Sequence, residues 1–386
     1  MMNYAPYFTE EHRLLRKTIR QFLEKEVTPF LDEWEEKGEF PREILTRMGE
    51  LGFLGLRYPK EDGGQGWDYF AGVIFAEELS RTGFGGFPMA IGVQTDMATP
   101  PILEFGNEEQ KERFLKPALK GQKLAAIGIS EPNHGSDVAS IQTRAVKDGN
   151  DWVINGTKMF ITNGPRADFI TLVVRTSDAP GYKGLSMILV EMDRPGITMS
   201  KKLDKVGMRS SDTAEVIFEN VRVPLDNLLG KEGNGFAQIM WELQGERMIS
   251  AAGSIGISEY AYEYAYRYAK ERKQFGQPIA NFQVISHLLV DMKTEIEVCK
   301  EMTYALAYRF SKGEVPSKEI SMVKMAAAQT AHWVADRALQ ILGGNGYMME
   351  YPIQRVWRDT RLHRIGAGTD EVMKEIIAKQ MGLEEY

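Results

Sequence analysis

One stretch of this 386-residue sequence combines an acidic and a basic residue with an apolar helical pattern. Around Glu246 and Arg247, apolar residues recur at three- and four-residue steps: Phe236, Ile239, Met240, Leu243, Met248 and Ile249. A carboxylate in such a stretch usually lies on the exposed face of its helix. If it is buried among apolar groups instead, its pKa rises, which suits a general base. The residues alone leave both interpretations open.

Three turns rich in glycine or serine could hold a ligand through backbone N–H groups. Residues 129–137 include Ser130 and Ser136, which could bind phosphate or flavin heteroatoms, although a plain turn is the simpler interpretation. Residues 343–346 follow an apolar helical run, where glycine either ends the helix or lets a cofactor approach the backbone. Residues 366–371 precede the last helix; Thr369 could cap it, leaving loop N–H groups for an anion or a carbonyl oxygen.

Three other kinds of site have no support in the sequence. The single cysteine, Cys299, has no cysteine partner, and no His-x-x-x-His pair occurs among the five histidines, so no metal site is predicted. No Gly-x-Ser-x-Gly motif indicates a serine nucleophile. No strand leads into a Gly-x-Gly-x-x-Gly motif, so a Rossmann nicotinamide site is not predicted either.

The composition excludes further classes of protein. The chain has 47 Lys and Arg against 54 Asp and Glu, a net charge of −7, and no run of basic residues, so we expect no binding to nucleic acid. No apolar run of about 18 residues predicts a membrane span. A lone cysteine indicates a reducing compartment, and residues 1–20 lack the apolar core of a signal peptide. We therefore expect a cytoplasmic protein.

Apolar periodicity divides the chain into three parts. Helical spacing runs through residues 1–120, short strand candidates fill residues 121–232, and helical spacing returns over residues 233–386. The predicted fold class is α+β and mostly α. It comprises an N-terminal helical domain, a middle β-barrel-like domain and a C-terminal four-helix bundle.

Individual elements can be predicted within these parts. An Asp-Gly turn at Asp148 and Gly149 indicates a hairpin. Further strands are predicted from β-branched and apolar runs at residues 169–174, 187–190 and 216–218. Long bundle helices are predicted at residues 236–270, 283–311 and 317–342.

Two longer motifs resemble signatures of the acyl-CoA dehydrogenase family. The first is Gly-Ile-Ser-Glu-Pro-Asn-His-Gly-Ser-Asp at residues 128–137, where His134 replaces the family's usual small residue. The second starts with Gln-Ile-Leu-Gly-Gly-Asn-Gly-Tyr at residue 340 and continues with Glu350, Arg355 and Asp359 at the family's spacing. Shorter elements that look like the family's lie at residues 160–164, 272–276 and 368–371. The resemblance covers essentially the whole chain and implies the same three domains.

The resemblance also implies a FAD cofactor bound between the middle domain and the bundle. Family members are typically homotetramers, so some of the residues would reach a neighbouring subunit's cofactor. The residues that match the family's FAD contacts are Ile129, Ser130, Ser136, Phe160, Thr162, Arg272, Gln274, Phe275, Gln283, Gln340, Gly343, Gly344, Thr369 and Glu371. Those expected at the substrate are Ser136, Gln244, Arg247, Ala367 and Gly368.

The expected position of the catalytic base is the most informative difference within the family. Many members carry a glutamate in the loop before the C-terminal Gly-Thr, where this chain has Ala367. A smaller group, similar to isovaleryl-CoA and long-chain acyl-CoA dehydrogenases, carries the base on a bundle helix. The matching segment here contains Glu246, which we expect to be the base. The backbone N–H of Ala367 and a ribityl hydroxyl of FAD would bind the thioester oxygen.

The implied reaction is α,β-dehydrogenation of acyl-CoA thioesters to trans-2-enoyl-CoA in fatty-acid or branched-chain amino-acid catabolism. Glu246 would remove the α-proton, flavin N5 would receive the β-hydrogen as a hydride, and an electron-transfer flavoprotein would take the electrons. Two alternatives stay open: an acyl-CoA oxidase that uses oxygen, and a non-catalytic scaffold that binds flavin or CoA. The sequence does not fix the acyl chain.

Overall fold

The computed structural model describes residues 7–383, and its first part is helical, as predicted. The first helix begins at a capping box: the Thr9 hydroxyl accepts the N–H of His12, and the His12 ring accepts the N–H of Thr9. Three π-helical turns follow or join the helices: Leu23–Val27, Val93–Ala98 and Lys111–Leu115. The helices are α1 Glu10–Phe22, α2 Leu31–Lys37, α3 Arg42–Glu50, α4 Tyr69–Ser80, α5 Gly86–Gly92, α6 Pro100–Phe105, α7 Glu108–Gln110 and α8 Lys116–Leu119.

The middle part consists of strands, as predicted, and eight of them form one sheet. They are β1 Ala125–Gly128, β2 Arg144–Asp148, β3 Asp151–Thr162, β4 Phe169–Arg175, β5 Leu185–Glu191, β6 Ile197–Met199, β7 Thr213–Pro224 and β8 Leu228–Leu229. The order is β6-β7-β3-β2-β4-β5-β8, with β1 parallel to β4. The hairpin prediction is confirmed, because Asp148 pairs with Asp151 across a turn in which Gly149 has φ +61°.

The third part is again helical. Its elements are α9 Gly235–Glu271, β9 Lys273–Gln274, β10 Gln277–Pro278, α10 Gln283–Ser311, α11 Ser317–Leu342, α12 Ile353–His363 and α13 Asp370–Gln380. The three long helices agree with the predicted ranges to within one residue at each end. In the part of the chain that the structure describes, no helix has both the length and the apolarity to cross a membrane.

Helix α9 joins the three parts of the molecule. Helix α4, all of whose residues are buried, packs against both α1 and α9. Met240 and Leu243 of α9 pack against a core cluster that includes Phe169 of β4 and Leu189 of β5. The first third of α9 therefore lies where all three parts meet, and Glu246 lies there. The domain boundaries at residues 120 and 232 remain predictions from the sequence.

Candidate active site

The sequence left open whether Glu246 is exposed or buried. In the structure it lies on α9 and is half-buried. Burial raises the pKa of its carboxyl above the ordinary value. Arg247 on the same turn and Lys324 on α11 oppose that rise by attracting the ionised form. Within residues 7–383, the carboxylate forms no direct salt bridge. Its environment therefore strengthens it as a base, while the two nearby cations limit the rise in its pKa.

The loop at residues 366–369 is fixed against this same turn of α9. Arg247 Nε donates to the carbonyl oxygen of Ala367 at 3.2 Å, and Lys324 Nζ donates to the carbonyl oxygen of Gly368 at 2.6 Å. Ala367 has φ +57°, a strained conformation for a residue with a Cβ atom. The Ala367 N–H has no protein acceptor among the described residues, so it is available to a carbonyl oxygen of a ligand.

A second carboxylate, which the sequence analysis did not consider, lies one turn before the first. Glu242 is only 2% exposed, and neither of its oxygens accepts a hydrogen bond from residues 7–383. Burial raises the pKa of Glu242 well above its ordinary value, and the charge of Asp96, in the π-helical turn Val93–Ala98, adds to the rise at both glutamates. The four-residue spacing of Glu242 and Glu246 was visible in the sequence. The approach of Asp96 and Lys324 was not, because it depends on tertiary packing.

The expected flavin strand is held by a buried ion pair. Lys158 of β3 donates to the Ile129 carbonyl oxygen at 3.0 Å and to Glu131 at 2.9 Å, and burial lowers the pKa of Lys158 to about 8. The N–H of Met159 donates to the carbonyl oxygen of Ser130 at 2.8 Å. Residues 129–131 are thus fixed alongside β3, next to Phe160.

The residues on this side of the middle domain fit a flat aromatic cofactor. Phe160 is 65% exposed and has φ +62°, so a large apolar ring faces outward on a strained backbone. Thr162 lies two residues further along β3, and Ile161 between them points into the core. On α9, the Oε1 atom of Gln244 is buried without a partner among the described residues. An aromatic face and an unused polar atom are what a flavin ring requires.

A second group of expected FAD contacts lies far from Glu246. At 1.5 Å per residue, Glu271 lies about 38 Å along α9 from Glu246, and Tyr268 near this end bonds to Asn345 and to the carbonyl oxygen of Leu342. This bundle end therefore carries Arg272, Gln274, Phe275, Gln283, Gln340, Gly343 and Gly344. The chain does not bring these residues to the Phe160 site, so they could serve only a different part of the cofactor or a neighbouring subunit.

Two of the glycine-rich turns have the helix-ending and helix-capping roles that the sequence offered as their simpler interpretations. Gly343, with φ +59°, ends α11, and an added Cβ atom there would meet nothing within 4 Å. The Thr369 hydroxyl accepts the N–H of Val372 and caps α13, while Glu371 lies exposed in the first turn. Neither finding prevents these groups from also touching a ligand, and their roles as FAD contacts stay predictions.

The turn that follows the buried Glu131, at residues 132–137, lies on the surface. Glu131 and His134 form an isolated β-bridge, and Ser136 is exposed just beyond it. His134 lines a shallow groove together with Asn133 and Gln142. A contact between Ser136 and the substrate's CoA portion remains a prediction.

The chain is similar to known proteins over nearly its whole length. The family models described as acyl-CoA dehydrogenase N-terminal, middle and C-terminal domains match residues 9–122, 126–221 and 233–382. A solved acyl-CoA dehydrogenase from Geobacillus kaustophilus superposes with a TM-score of 0.95 at 40% identity, covering 97% of this chain and 99% of that one.

Curated relatives of similar length carry several different names. A 3-(aryl)acrylate reductase from Clostridium sporogenes is 40% identical over 97% of this chain and 99% of its own. The caffeyl-CoA reductase-Etf complex subunit CarC of Acetobacterium woodii is 39% identical over 96% and 98%. The mitochondrial isovaleryl-CoA dehydrogenase of Pongo abelii is 37% identical over 96% and 88%. The chain belongs to the acyl-CoA dehydrogenase family, whose members are FAD-dependent enzymes that dehydrogenate acyl-CoA thioesters.

Proposed function

We propose that this enzyme converts acyl-CoA thioesters to trans-2-enoyl-CoA with Glu246 as the catalytic base. One observation carries the proposal: Glu246 lies half-buried on α9, on the turn whose Arg247 binds the carbonyl oxygen of Ala367. Family members carry the base either on the bundle helix or in the loop before the C-terminal Gly-Thr. In this chain the helix position is the carboxylate Glu246, and the loop position is Ala367, which has only a methyl group. This arrangement supports membership of the subgroup similar to isovaleryl-CoA and long-chain acyl-CoA dehydrogenases.

The chain's own groups supply the proton transfer. Burial raises the pKa of Glu246, which increases the affinity of its carboxylate for the weakly acidic α-proton of a thioester. Arg247 and Lys324 attract the ionised form and so limit the rise in its pKa. The free N–H of Ala367 donates to the thioester oxygen, where negative charge develops as the proton leaves. Gln244 and Gly368 border the same space.

FAD, when bound, supplies the two-electron oxidation of the β-carbon. Within one chain, its isoalloxazine ring would lie against Ile129, Ser130, Phe160 and Thr162. Ser136 would lie between the cofactor and the CoA portion of the substrate. Thr369 and Glu371 would contact the cofactor from the start of α13.

The distant contacts support a homotetramer. Phe275 is 93% exposed at the end of the bundle and has φ +51°. An apolar ring held outward in a strained conformation is typical of a surface that a partner covers. We propose that Arg272, Gln274 and Phe275 of one subunit complete the FAD site of another.

We also propose a physiological setting for the enzyme. Transfer of electrons to an electron-transfer flavoprotein is supported by the Etf-complex relative. Fatty-acid or branched-chain amino-acid catabolism and a cytoplasmic location stay predictions from the sequence.

The reverse direction is a second candidate, because two relatives are named reductases of arylacrylate or caffeyl-CoA substrates. The same residues serve both directions, since Glu246 would return its proton to the α-carbon. With chemically reduced enzyme, oxidation of the flavin by an arylacrylyl-CoA but not by straight-chain enoyl-CoAs would favour this candidate.

The proposed direction is tested with purified holoenzyme and a panel of straight and branched acyl-CoAs. Reduction of electron-transfer flavoprotein is measured beside hydrogen peroxide production in air. We expect reduction of the flavoprotein and little peroxide. Peroxide as the main product would indicate an oxidase, and yellow protein inert to every acyl-CoA would indicate a binding scaffold.

A further inference from the structure

The buried carboxyl of Glu242 has no role in the chemistry described so far. Glu242 precedes Glu246 by four residues on α9, so both side chains lie on the same face of the helix. The two carboxyl groups are close enough to share a hydrogen bond when one is protonated. Among residues 7–383, no other group donates to either oxygen of Glu242. A buried carboxyl with no donor of its own is expensive to ionise.

The charged groups that face this carboxyl come from several elements. Asp96 faces it from the turn Val93–Ala98. Arg57 forms an ion pair with Asp96, and the Thr95 hydroxyl donates to Asp96 at 2.6 Å. From α9 come Glu246 and Arg247.

The nearby cations are committed elsewhere. The guanidinium of Arg247 donates to the Ala367 carbonyl oxygen, and the ammonium of Lys324, which faces Glu246 from α11, donates to the Gly368 carbonyl oxygen. Tyr69 of α4 packs its ring under Arg57, and its hydroxyl donates to the carbonyl oxygen of Gly245 at 3.4 Å. Within the described part of the chain, none of these cations binds directly to Glu242.

Two adjacent carboxyl groups in this setting do not both ionise near neutral pH. One proton is shared by the pair, and the carboxyl with the less favourable surroundings for charge retains it. Glu242 is the more buried of the two, and burial together with the charges of Glu246 and Asp96 raises its pKa well above the ordinary value. Glu246 has Arg247 and Lys324 to stabilise its charge.

We propose that Glu242 is a positioning residue: its carboxyl O–H donates a hydrogen bond to the Glu246 carboxylate and fixes the direction in which that base faces the substrate. The inference rests on the proposed role of Glu246. During the reaction the α-proton moves to Glu246 while Glu242 keeps its own proton, so no additional charge is buried. The hydrogen bond also stabilises ionised Glu246 and so extends the base's activity to lower pH.

The test compares Glu242→Leu, which removes the donor, with Glu242→Gln, which keeps a donor of similar size. The measurement is kcat/KM against pH on the acid side. The account predicts that Glu242→Leu moves the acid limb upward by about one to two pH units, and that Glu242→Gln leaves it within about 0.3 unit of the wild type. If Glu242 were ionised, its removal would move the limb downward instead. A downward movement or an unchanged limb would overturn the proposal.

A matched control is Gln238→Leu, which changes a buried polar residue one turn earlier on α9. This variant should leave the acid limb in place, and an equal shift would show that loss of packing is the cause and would overturn the proposal. Flavin content and thermal midpoint are measured for each variant. If Glu242→Leu does not fold, Glu242→Met provides the same loss of donor with a more adaptable side chain.

A titration without turnover separates the two proposals. The carboxyl C=O infrared band of Glu246, identified by its loss in Glu246→Gln, is followed against pH in wild type and in Glu242→Leu holoenzyme. An upward shift of this titration without a matching shift in kcat/KM would support the hydrogen bond and refute Glu246 as the base. An unshifted titration would refute the hydrogen bond itself.

Discussion

Two clusters of buried acidic residues in this protein differ in how their charge is neutralised. In the first, the carboxylates of Glu77 and Glu78 on α4 are bound by Arg16 at 2.7 and 2.8 Å, and Arg20 adds a bond to Glu78 at 2.8 Å. Tyr304 also donates to Glu77 at 2.6 Å. We call this group the paired cluster. In the second, which we call the base cluster, Glu242 and Glu246 face each other without a direct salt bridge among the described residues.

The difference separates structural from chemical uses of a buried carboxylate. In the paired cluster, the arginines hold α1 against α4 and keep the pKa of Glu78 below its ordinary value despite burial, whereas at Glu77 burial prevails and raises the pKa. In the base cluster, burial prevails, and the pKa of both glutamates is raised. A carboxylate that already has strong donors is a poor base, whereas one kept short of donors can accept a proton from a substrate.

The largest expected effect lies in the base cluster. Replacing Glu246 with Gly should lower the rate of flavin reduction by acyl-CoA on the order of 10³-fold or more, because the group that removes the α-proton is lost. Adding Ala367→Glu to that variant should restore at least about tenfold, since residue 367 contacts the same turn of α9. Anaerobic stopped-flow absorbance measures both rates. No recovery would argue that the loop and helix positions do not approach the same α-carbon.

Substitutions in the paired cluster should lower stability and leave the rate of flavin reduction almost unchanged. Glu78→Gln leaves Arg16 and Arg20 without a full counter-charge, and we expect a loss of roughly 2–4 kcal/mol of stability with flavin reduction by acyl-CoA almost unchanged. Glu242→Gln should cost less than about 1 kcal/mol, because that carboxyl is already neutral in the folded protein. Thermal unfolding of the two variants checks this. Equal losses would remove the distinction between the clusters.

The contribution to the pH dependence of stability should differ in sign between Glu78 of the paired cluster and Glu242 of the base cluster. The depressed pKa of Glu78 contributes stability that is present above the ordinary value of 4.5 and is lost as pH falls through the folded-state pKa. The raised pKa of Glu242 contributes stability that is present below 4.5 and is lost as pH rises through the folded-state pKa. Unfolding curves measured at several pH values give the free energy of unfolding as a function of pH. This free energy should depend less on pH on the acid side in Glu78→Gln, and less on pH on the neutral side in Glu242→Gln.

The smallest effect compares two helix caps. Thr9→Ala removes the cap of α1 near the paired cluster, and Thr369→Ala removes the cap of α13 beside the base cluster. Each should lower stability by about 1 kcal/mol. Only Thr369→Ala should also raise KM for acyl-CoA, because the loop that presents the Ala367 N–H loosens. An equal change in KM from Thr9→Ala would show that this effect is not local to the loop.

Most of the fold was accessible from the sequence because its signals are local. The Asp148–Gly149 hairpin and the three long helices follow from turn chemistry and apolar periodicity. The sheet order was not predictable, because β1 pairs with β4 across more than 40 residues of chain. Helix α4 is buried on every side, so its sequence has no polar face. Its pattern therefore does not indicate which side packs against which neighbour.

The candidate site was predictable in part. Glu246 and Ala367 were identified by matching residues to family motifs. The environment that decides whether Glu246 can act as a base comes from Asp96, Lys324 and Arg57, which lie on other elements and carry no local signal. Glu242 had a signal in its four-residue spacing from Glu246, but spacing alone does not distinguish a buried pair from two solvated charges.

Replacing Glu246 with Gln shows whether this carboxylate removes the substrate's α-proton. Anaerobic mixing of the yellow holoenzyme with acyl-CoA is followed by the flavin's visible absorbance, and Glu271→Gln at the exposed end of the same helix is the control. The account predicts that Glu246→Gln binds FAD normally but is not bleached, while the control is bleached at the wild-type rate. Bleaching of Glu246→Gln at close to the wild-type rate would contradict it.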